Sequence, residues 1–287
     1  VKPLTVDSHH HFWDPAEAEY PWMTDELAPI RRRFGPDQLR PHLEKAGVSK
    51  TVVVQARSST EETRTLMKTS ADTDFVAGVV GWVDLTDVRL GDVLDDLRRE
   101  PGGAALVGVR HQVHDEPDPG WLSRPDVRRG LQAVGERGLA YDLLVRVREL
   151  PAAWAAARAL PEVRFVIDHI GKPPIASGDV NEWATAMAPF GALENVSCKL
   201  SGMVTEADWD GWSPSDLEPY VRRVVDWFGE DRLMFGSDWP VCTLAATYEE
   251  VLDTLDRCLG DLSSPARAKV FGGNAGEFYG LRSEGRC

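Results

Sequence analysis

The chain has 287 residues, 43% hydrophobic and 27% charged; that ordinary globular balance excludes a disordered chain, and no apolar run approaches the ~18 residues of a membrane span. Its 32 Lys and Arg against 46 Asp and Glu leave a net charge of −14, which argues against nucleic acid and anionic membranes as partners, since both repel an acidic protein. In chain order, eight short apolar runs read as strands: Leu4–His9, Thr51–Gln55, Val76–Trp82, Leu106–His111, Ala140–Val145, Arg164–His169, Asn195–Leu200 and Leu233–Asp238. Segments with helical spacing follow them in alternation: Asp37–Ala46, Glu61–Ala71, Leu90–Arg99, Asp126–Arg137, Ala152–Leu160, Val180–Phe190, Pro214–Phe228 and Thr247–Leu259. Strand and helix alternating eight times predict an α/β fold with a closed parallel sheet, the (β/α)8 TIM barrel, spanning 1–287 as one domain.

Local signals agree with these bounds. Ser59 or Thr60 precedes acidic residues as a helix start, Pro151 and Pro214 suit first turns, and Gly47, Gly138 and Gly229 follow the last periodic residues. Loops rich in Pro and Gly (Pro15–Pro36, Asp115–Pro125, Lys172–Asp179, Gly202–Pro214) come after strands one, four, six and seven, where a barrel carries its chemistry. Pro265–Leu281 reads as a short helix and a capping segment. Cys198, Cys242, Cys258 and Cys287 are far apart, and no export signal opens the given sequence; reduced thiols and a cytoplasmic location are the expectation.

Unusual polar residues recur at the C-terminal ends of the predicted strands, which a barrel gathers at one face. Six of the seven histidines fall there: His9, His10 and His11 on strand one, His111 and His114 at strand four, and His169 on strand six. His9 and His11 share a side of an extended strand, the spacing for two imidazoles on one metal or one substrate oxygen, and His10 points away. Asp238 ends strand eight with Met234 and Gly236 on its parity; it reads as a base for water whose burial would raise its pKa, or as an ion-pair partner of Lys199 or Arg110. His169 is assigned inward with Phe165 and Ile167, which leaves Asp168 to bond loop amides. Arg110 suits a carboxylate, a lactone carbonyl or an oxyanion, with an ion pair to Asp84 or Asp142 as its structural alternative. His111 and Lys199 join Arg110 as substrate-binding candidates. Ten tryptophans against five tyrosines are unusual; Trp13 and Trp239, beside the two best motifs, are taken as pocket walls.

Four motifs carry a resemblance: Val6-Asp7-Ser8-His9-His10-His11-Phe12-Trp13-Asp14-Pro15, Gly108-Val109-Arg110-His111, Asp168-His169-Ile170-Gly171-Lys172-Pro173 and Phe235-Gly236-Ser237-Asp238-Trp239-Pro240. The chain resembles the amidohydrolase superfamily, and within it the branch of sugar lactonases and 2-pyrone-4,6-dicarboxylate lactonase. The resemblance implies a barrel in which His9, His11, His169 and Asp238 surround a hydrolytic water. Members with two metals also use a bridging residue on strand four, commonly a modified lysine, and a histidine on strand five. Here strand four offers Arg110-His111 and strand five, Ala140-Tyr141-Asp142-Leu143-Leu144, has no histidine, which implies one divalent ion, zinc first, or none. The expected activity is hydrolysis of a small-molecule lactone, a sugar 1,4- or 1,5-lactone, with a zinc-dependent decarboxylase or hydratase of an unsaturated or aromatic acid, or a non-catalytic binding barrel, as rivals. Oligomeric state is not legible.

Overall fold

The computed structural model describes residues 4–281. Eight strands, β1 (Val6–His10), β2 (Lys50–Val54), β3 (Val76–Gly81), β4 (Leu106–Gln112), β5 (Ala140–Leu144), β6 (Arg164–Ile167), β7 (Val196–Leu200) and β8 (Leu233–Phe235), pair in parallel in sequence order. The seam between the last and the first is closed just past β8, where Asp238 N donates to His9 O at 2.8 Å and His11 N donates to Trp239 O at 2.7 Å. The sheet is a TIM barrel, as the alternation predicts.

Parallel strands are buried on both faces and so are apolar throughout, and alternation sorts their side chains into two cores. Val6, Val52, Val54, Val80, Ala140, Val166 and Met234 fill the barrel interior. Val53, Val79, Tyr141, Leu143, Phe165, Ile167, Leu233 and Phe235 pack outward beneath the helices. Phe165 and Ile167 therefore face the helices, contrary to the sequence reading. The parity of Val166 carries Asp168 to the axis, and His169 reaches the same space by another route, described below.

Helices α1 (Pro36–Ala46), α2 (Thr60–Ala71), α3 (Leu90–Arg99), α4 (Pro125–Glu136), α5 (Leu150–Ala159), α6 (Asn181–Met187), α7 (Pro214–Phe228) and α8 (Tyr248–Cys258) surround the barrel. Ser59 caps α2 by accepting from Glu62 N at 3.3 Å, and Gly47 ends α1 at φ +69°, a left-handed conformation that glycine adopts without strain. The expected helix to Phe190 stops early at Met187 and continues as a tighter turn over Ala188–Ala192, because Pro189 has no N–H for the helical ladder. Beyond α8 come α9 (Ser264–Ala268), a wide turn over Lys269–Gly273 and α10 (Asn274–Phe278). This segment seals the N-terminal mouth of the barrel, with Ala275, Tyr279 and Leu281 joining the interior core.

Cys198, Cys242 and Cys258 are free thiols, and Cys287 lies outside the described residues. Among the described residues no helix is long and apolar enough to cross a membrane.

Candidate active site

The C-terminal ends of β1, β6 and β8 bring four side chains together. His9 Nε2 and His11 Nε2 lie 3.3 Å apart, and Asp238 Oδ1 is 3.3 Å from His11 Nε2, 3.8 Å from His9 Nε2 and 3.9 Å from His169 Nε2. His10 points the other way, its Nε2 2.8 Å from Thr51 Oγ1, as strand alternation requires. His169 and Asp238 both follow strands that end two or three residues sooner than expected. Each is turned into the site by left-handed backbone, at φ +54° and +56°, a conformation uncommon outside glycine and worth noting where chemistry is suspected. Gly202 makes room for this turn: a Cβ there would sit 2.4 Å from His169 Nδ1.

The other ring nitrogens are all engaged. His11 Nδ1 donates to Val54 O at 2.8 Å, His169 Nδ1 lies 2.9 Å from Ser201 Oγ, and His9 Nδ1 faces Lys199 Nζ at 3.1 Å and Asp168 Oδ1 at 3.2 Å. The rings are thereby oriented with their Nε2 atoms toward Asp238. Burial lowers His9 well below the usual imidazole value, Asp168 opposing, and lowers His169 to about 4. Burial pushes Asp238 up as expected, but His169, the hydrogen bond from His11 and His9 outweigh it and hold the carboxyl below its ordinary range. The expectation of a raised pKa is thus reversed, because the neighbouring imidazoles favour the ionised form more than desolvation disfavours it.

Two cations support these side chains, Arg110 at the cavity floor and Lys199 beneath it. Arg110 Nη1 donates to Asp168 Oδ2 at 3.0 Å and approaches His9 Nε2 at 3.3 Å; neither Asp84 nor Asp142 is its partner. Lys199 is fully buried, 2.5 Å from Asp142 Oδ2 and 3.0 Å from Asp168 Oδ1, so it supports the site from below and does not face a substrate. Asp168 is the hub of both pairs rather than a ligand of loop amides, and Asp238 pairs with imidazoles rather than with Lys199 or Arg110.

Above lies a cavity of about 470 Å³, floored by His11, Arg110, His169 and Asp238. Its rim comes from the loops the sequence marked: Trp22 and Leu27 after β1, His114 and Asp115 after β4, Lys172 after β6, and Glu206 and Trp209 after β7. Trp13 and Trp239 are buried packing residues instead of walls; Trp13 stacks near His11 and donates to Ile30 O, and Trp239 packs on Phe12 and Phe34. Trp22 and Trp209 take the lining role. His111 is turned aside, stacked on Trp121 at 4.4 Å, accepting from Trp82 Nε1 at 2.9 Å and bonded to Glu116 Oε1 at 2.7 Å; it lines a neighbouring groove.

Asp7 escaped the sequence reading. It is fully buried and accepts from His9 N (3.1 Å), Ser237 N (2.9 Å), Ser237 Oγ (2.6 Å) and Tyr248 Oη (3.1 Å). Burial raises its pKa to about 6 against these hydrogen bonds. One carboxylate thus clasps the barrel seam and fixes the backbone that presents both His9 and Asp238. The available signal was a carboxylate inside a segment read as a buried strand, since a buried acid needs partners.

The donor set fits a metal ion. Two ligands ~2.0–2.1 Å from a tetrahedral ion lie about 3.3 Å apart, the separation of His9 from His11 and of His11 from Asp238. His9, His11 and Asp238 form one potential cluster, and His9, Asp168 and His169 another that shares His9.

A family profile described as amidohydrolase matches residues 6–281. Among curated proteins, an L-fucono-1,5-lactonase of Burkholderia ambifaria is 44% identical over 280 residues, covering 96% of this chain and 94% of the relative. An L-fucono-1,5-lactonase of Burkholderia multivorans is 38% identical over 289 residues, covering 97% and 96%. Among solved structures, the crystal structure of an amidohydrolase from Burkholderia multivorans with bound zinc aligns with a TM-score of 0.92 at 38% identity, over 97% of this chain and 100% of that one.

Proposed function

Because this chain belongs to the amidohydrolase family, we propose that it is a hydrolase that opens a sugar lactone, a 1,5-lactone before a 1,4-lactone, with water activated by Asp238. The observation that carries the reading is the convergence of His9, His11 and His169 on one ionised carboxylate, Asp238, with His11, His169 and Asp238 on the floor of a cavity of about 470 Å³, joined to the likeness at 44% identity to an L-fucono-1,5-lactonase. The domain spans 1–287 and acts on a small molecule; free Cys198, Cys242 and Cys258 support a reducing cytoplasm.

In this mechanism Asp238 Oδ1 keeps the three imidazoles and Oδ2 takes a proton from water. The water oxygen adds to the lactone carbonyl carbon, and the carbonyl π electrons move to its oxygen, where the Arg110 guanidinium stabilises the charge. Collapse re-forms the C=O bond and breaks the bond to the ring oxygen, which takes the proton from Asp238. The low pKa of Asp238 makes it a weak base but a strong acid in this second step, so the polarisation of the carbonyl governs the first. A zinc ion held by His9, His11, His169 and Asp238 would supply Lewis-acid polarisation of that carbonyl and of the water. Beside His9, Asp168 is already paired with two cations, Arg110 and Lys199, and that positive charge disfavours a second ion on the cluster that shares His9.

The test is a pH-indicator assay over 1,4- and 1,5-lactones of six-carbon aldonic acids, with L-fucono-1,5-lactone among them. Turnover of at least one is expected, and no turnover of any overturns the reading. The pH profile carries a second expectation. A base with a depressed pKa is lost only as pH falls through that low value, so kcat/KM should have no acid limb between pH 5 and 8 arising from Asp238. A limb near pH 6 that disappears in Asp238→Asn would contradict the assignment. For the metal, purified protein is expected to hold at most one divalent ion per chain. Chelation should lower lactonase activity by less than about tenfold, ~1.4 kcal/mol of barrier, since Arg110 remains to polarise the carbonyl. Metal analysis and assay before and after chelation check both; complete loss with recovery on adding zinc would make the ion essential.

A further inference from the structure

The barrel axis carries a chain of polar contacts that begins at the mouth opposite the cavity. Tyr279, at the end of α10 and only 4% exposed, donates its hydroxyl to Asp142 at 3.0 Å from Oδ1 and 2.8 Å from Oδ2. Asp142 Oδ2 meets Lys199 Nζ at 2.5 Å, and Lys199 also reaches Asp168 Oδ1 at 3.0 Å and His9 Nδ1 at 3.1 Å. Asp142 Oδ2 and His9 Nδ1 are hydrogen-bonded to the ammonium, and Asp168 Oδ1 faces it as an ion-pair partner. The Lys199 ammonium also lies 5.6 Å from the centroid of the Tyr279 ring. Leu281, beside Tyr279 in the same core, shares the seal but has no polar group.

From this geometry, and resting on the lactonase reading for its kinetic consequence, we propose that Tyr279 is a positioning residue for His9, acting through Asp142 and Lys199. The tyrosine hydroxyl shares the Asp142 carboxylate with Lys199. Without it Asp142 Oδ1, fully buried, has only the ammonium to turn to. Lys199 is drawn toward Asp142 and away from His9 Nδ1, and the imidazole that faces Asp238 loses its anchor. Substrate never meets Tyr279, so binding is untouched while the chemical step suffers.

Tyr279→Phe keeps the ring and removes the hydroxyl, and Leu281→Ala is the control that loosens the same seal and spares it. Two readouts are taken on each variant: kcat and KM on a lactone that the wild type opens, and the imidazole 15N signals of His9 in histidine-labelled protein, assigned by their loss in His9→Gln. Tyr279→Phe is expected to lower kcat about tenfold with KM within about twofold, the scale of one lost buried hydrogen bond, and to shift the His9 signals. Leu281→Ala should lower the melting temperature and do neither. His9 signals unmoved in Tyr279→Phe, or moved equally in Leu281→Ala, overturn the inference. If the wild type opens no lactone, the functional reading fails and the His9 signals alone decide this one. Should Tyr279→Phe not fold, 3-fluorotyrosine at position 279 takes its place, since it keeps the ring and makes the hydroxyl a stronger donor to Asp142; the His9 signals are expected to shift, and signals left unmoved overturn the inference.

Discussion

Asp238→Asn is expected to lower kcat by about 10²- to 10⁴-fold, the range that general acid–base catalysis supplies, while the melting temperature stays near that of the wild type. The amide keeps the shape of the carboxylate but accepts no proton from water and delivers none to the ring oxygen. The fold should tolerate it because the seam is closed by backbone bonds, Asp238 N to His9 O and His11 N to Trp239 O, and clasped by Asp7 through Ser237; none of these uses the Asp238 side chain. Kinetics beside a thermal melt check both halves. Retention of more than about a tenth of the activity would remove Asp238 from the role of base.

The second large effect is on stability. Asp168 is fully buried between two cations, Arg110 at 3.0 Å and Lys199 at 3.0 Å, with His9 Nδ1 at 3.2 Å. Asp168→Asn leaves both cations in the barrel with too little negative charge, and breaking a buried pair from one side costs about 3–5 kcal/mol. Denaturant unfolding should show a loss of that order, accompanied by a fall in activity as Arg110 and His9 lose their common support. The pH dependence gives the sign. Burial raises Asp168, but Lys199 and His9 outweigh it and hold the carboxyl well below its usual value. Its stabilisation is therefore present above the unfolded carboxyl value of ~3.9 and lost as pH falls below it. The wild type should show that acid slope and Asp168→Asn should show less of it. A variant within about 1 kcal/mol of the wild type would mean that the cluster is not held by this charge.

Much of the architecture was legible because it rests on periodicity. Runs such as Thr51-Val52-Val53-Val54 are apolar without alternation, as strands buried on both faces must be, and the intervening segments repeat with helical spacing. Strand alternation also separated His9 and His11 from His10 correctly, since all three lie at the end of one extended strand. The same rule failed at β6 for a physical reason. The backbone leaves the strand after Ile167 and turns left-handed at His169, so parity counted through that residue put Phe165 on the wrong face and misread Asp168. Partners across the barrel were beyond reach for a different reason: Arg110 pairs with a residue 58 positions away and Lys199 with one 57 away, and local pattern carries no information about which acid meets which base. Trp13 and Trp239 show the limit of proximity in sequence, because a ring next to a catalytic motif is as well placed to pack under the site as to line it. Trp22 and Trp209 line it because their loops fold back over the barrel's C-terminal face.

The most direct measurement is ring opening in H2(18)O under single-turnover conditions, with mass analysis of the hydroxy acid formed. Attack of an Asp238-activated water on the carbonyl carbon, followed by expulsion of the ring oxygen, predicts that the label enters the carboxylate and none enters the newly freed hydroxyl. Label in the hydroxyl, or an unopened lactone, would contradict the account.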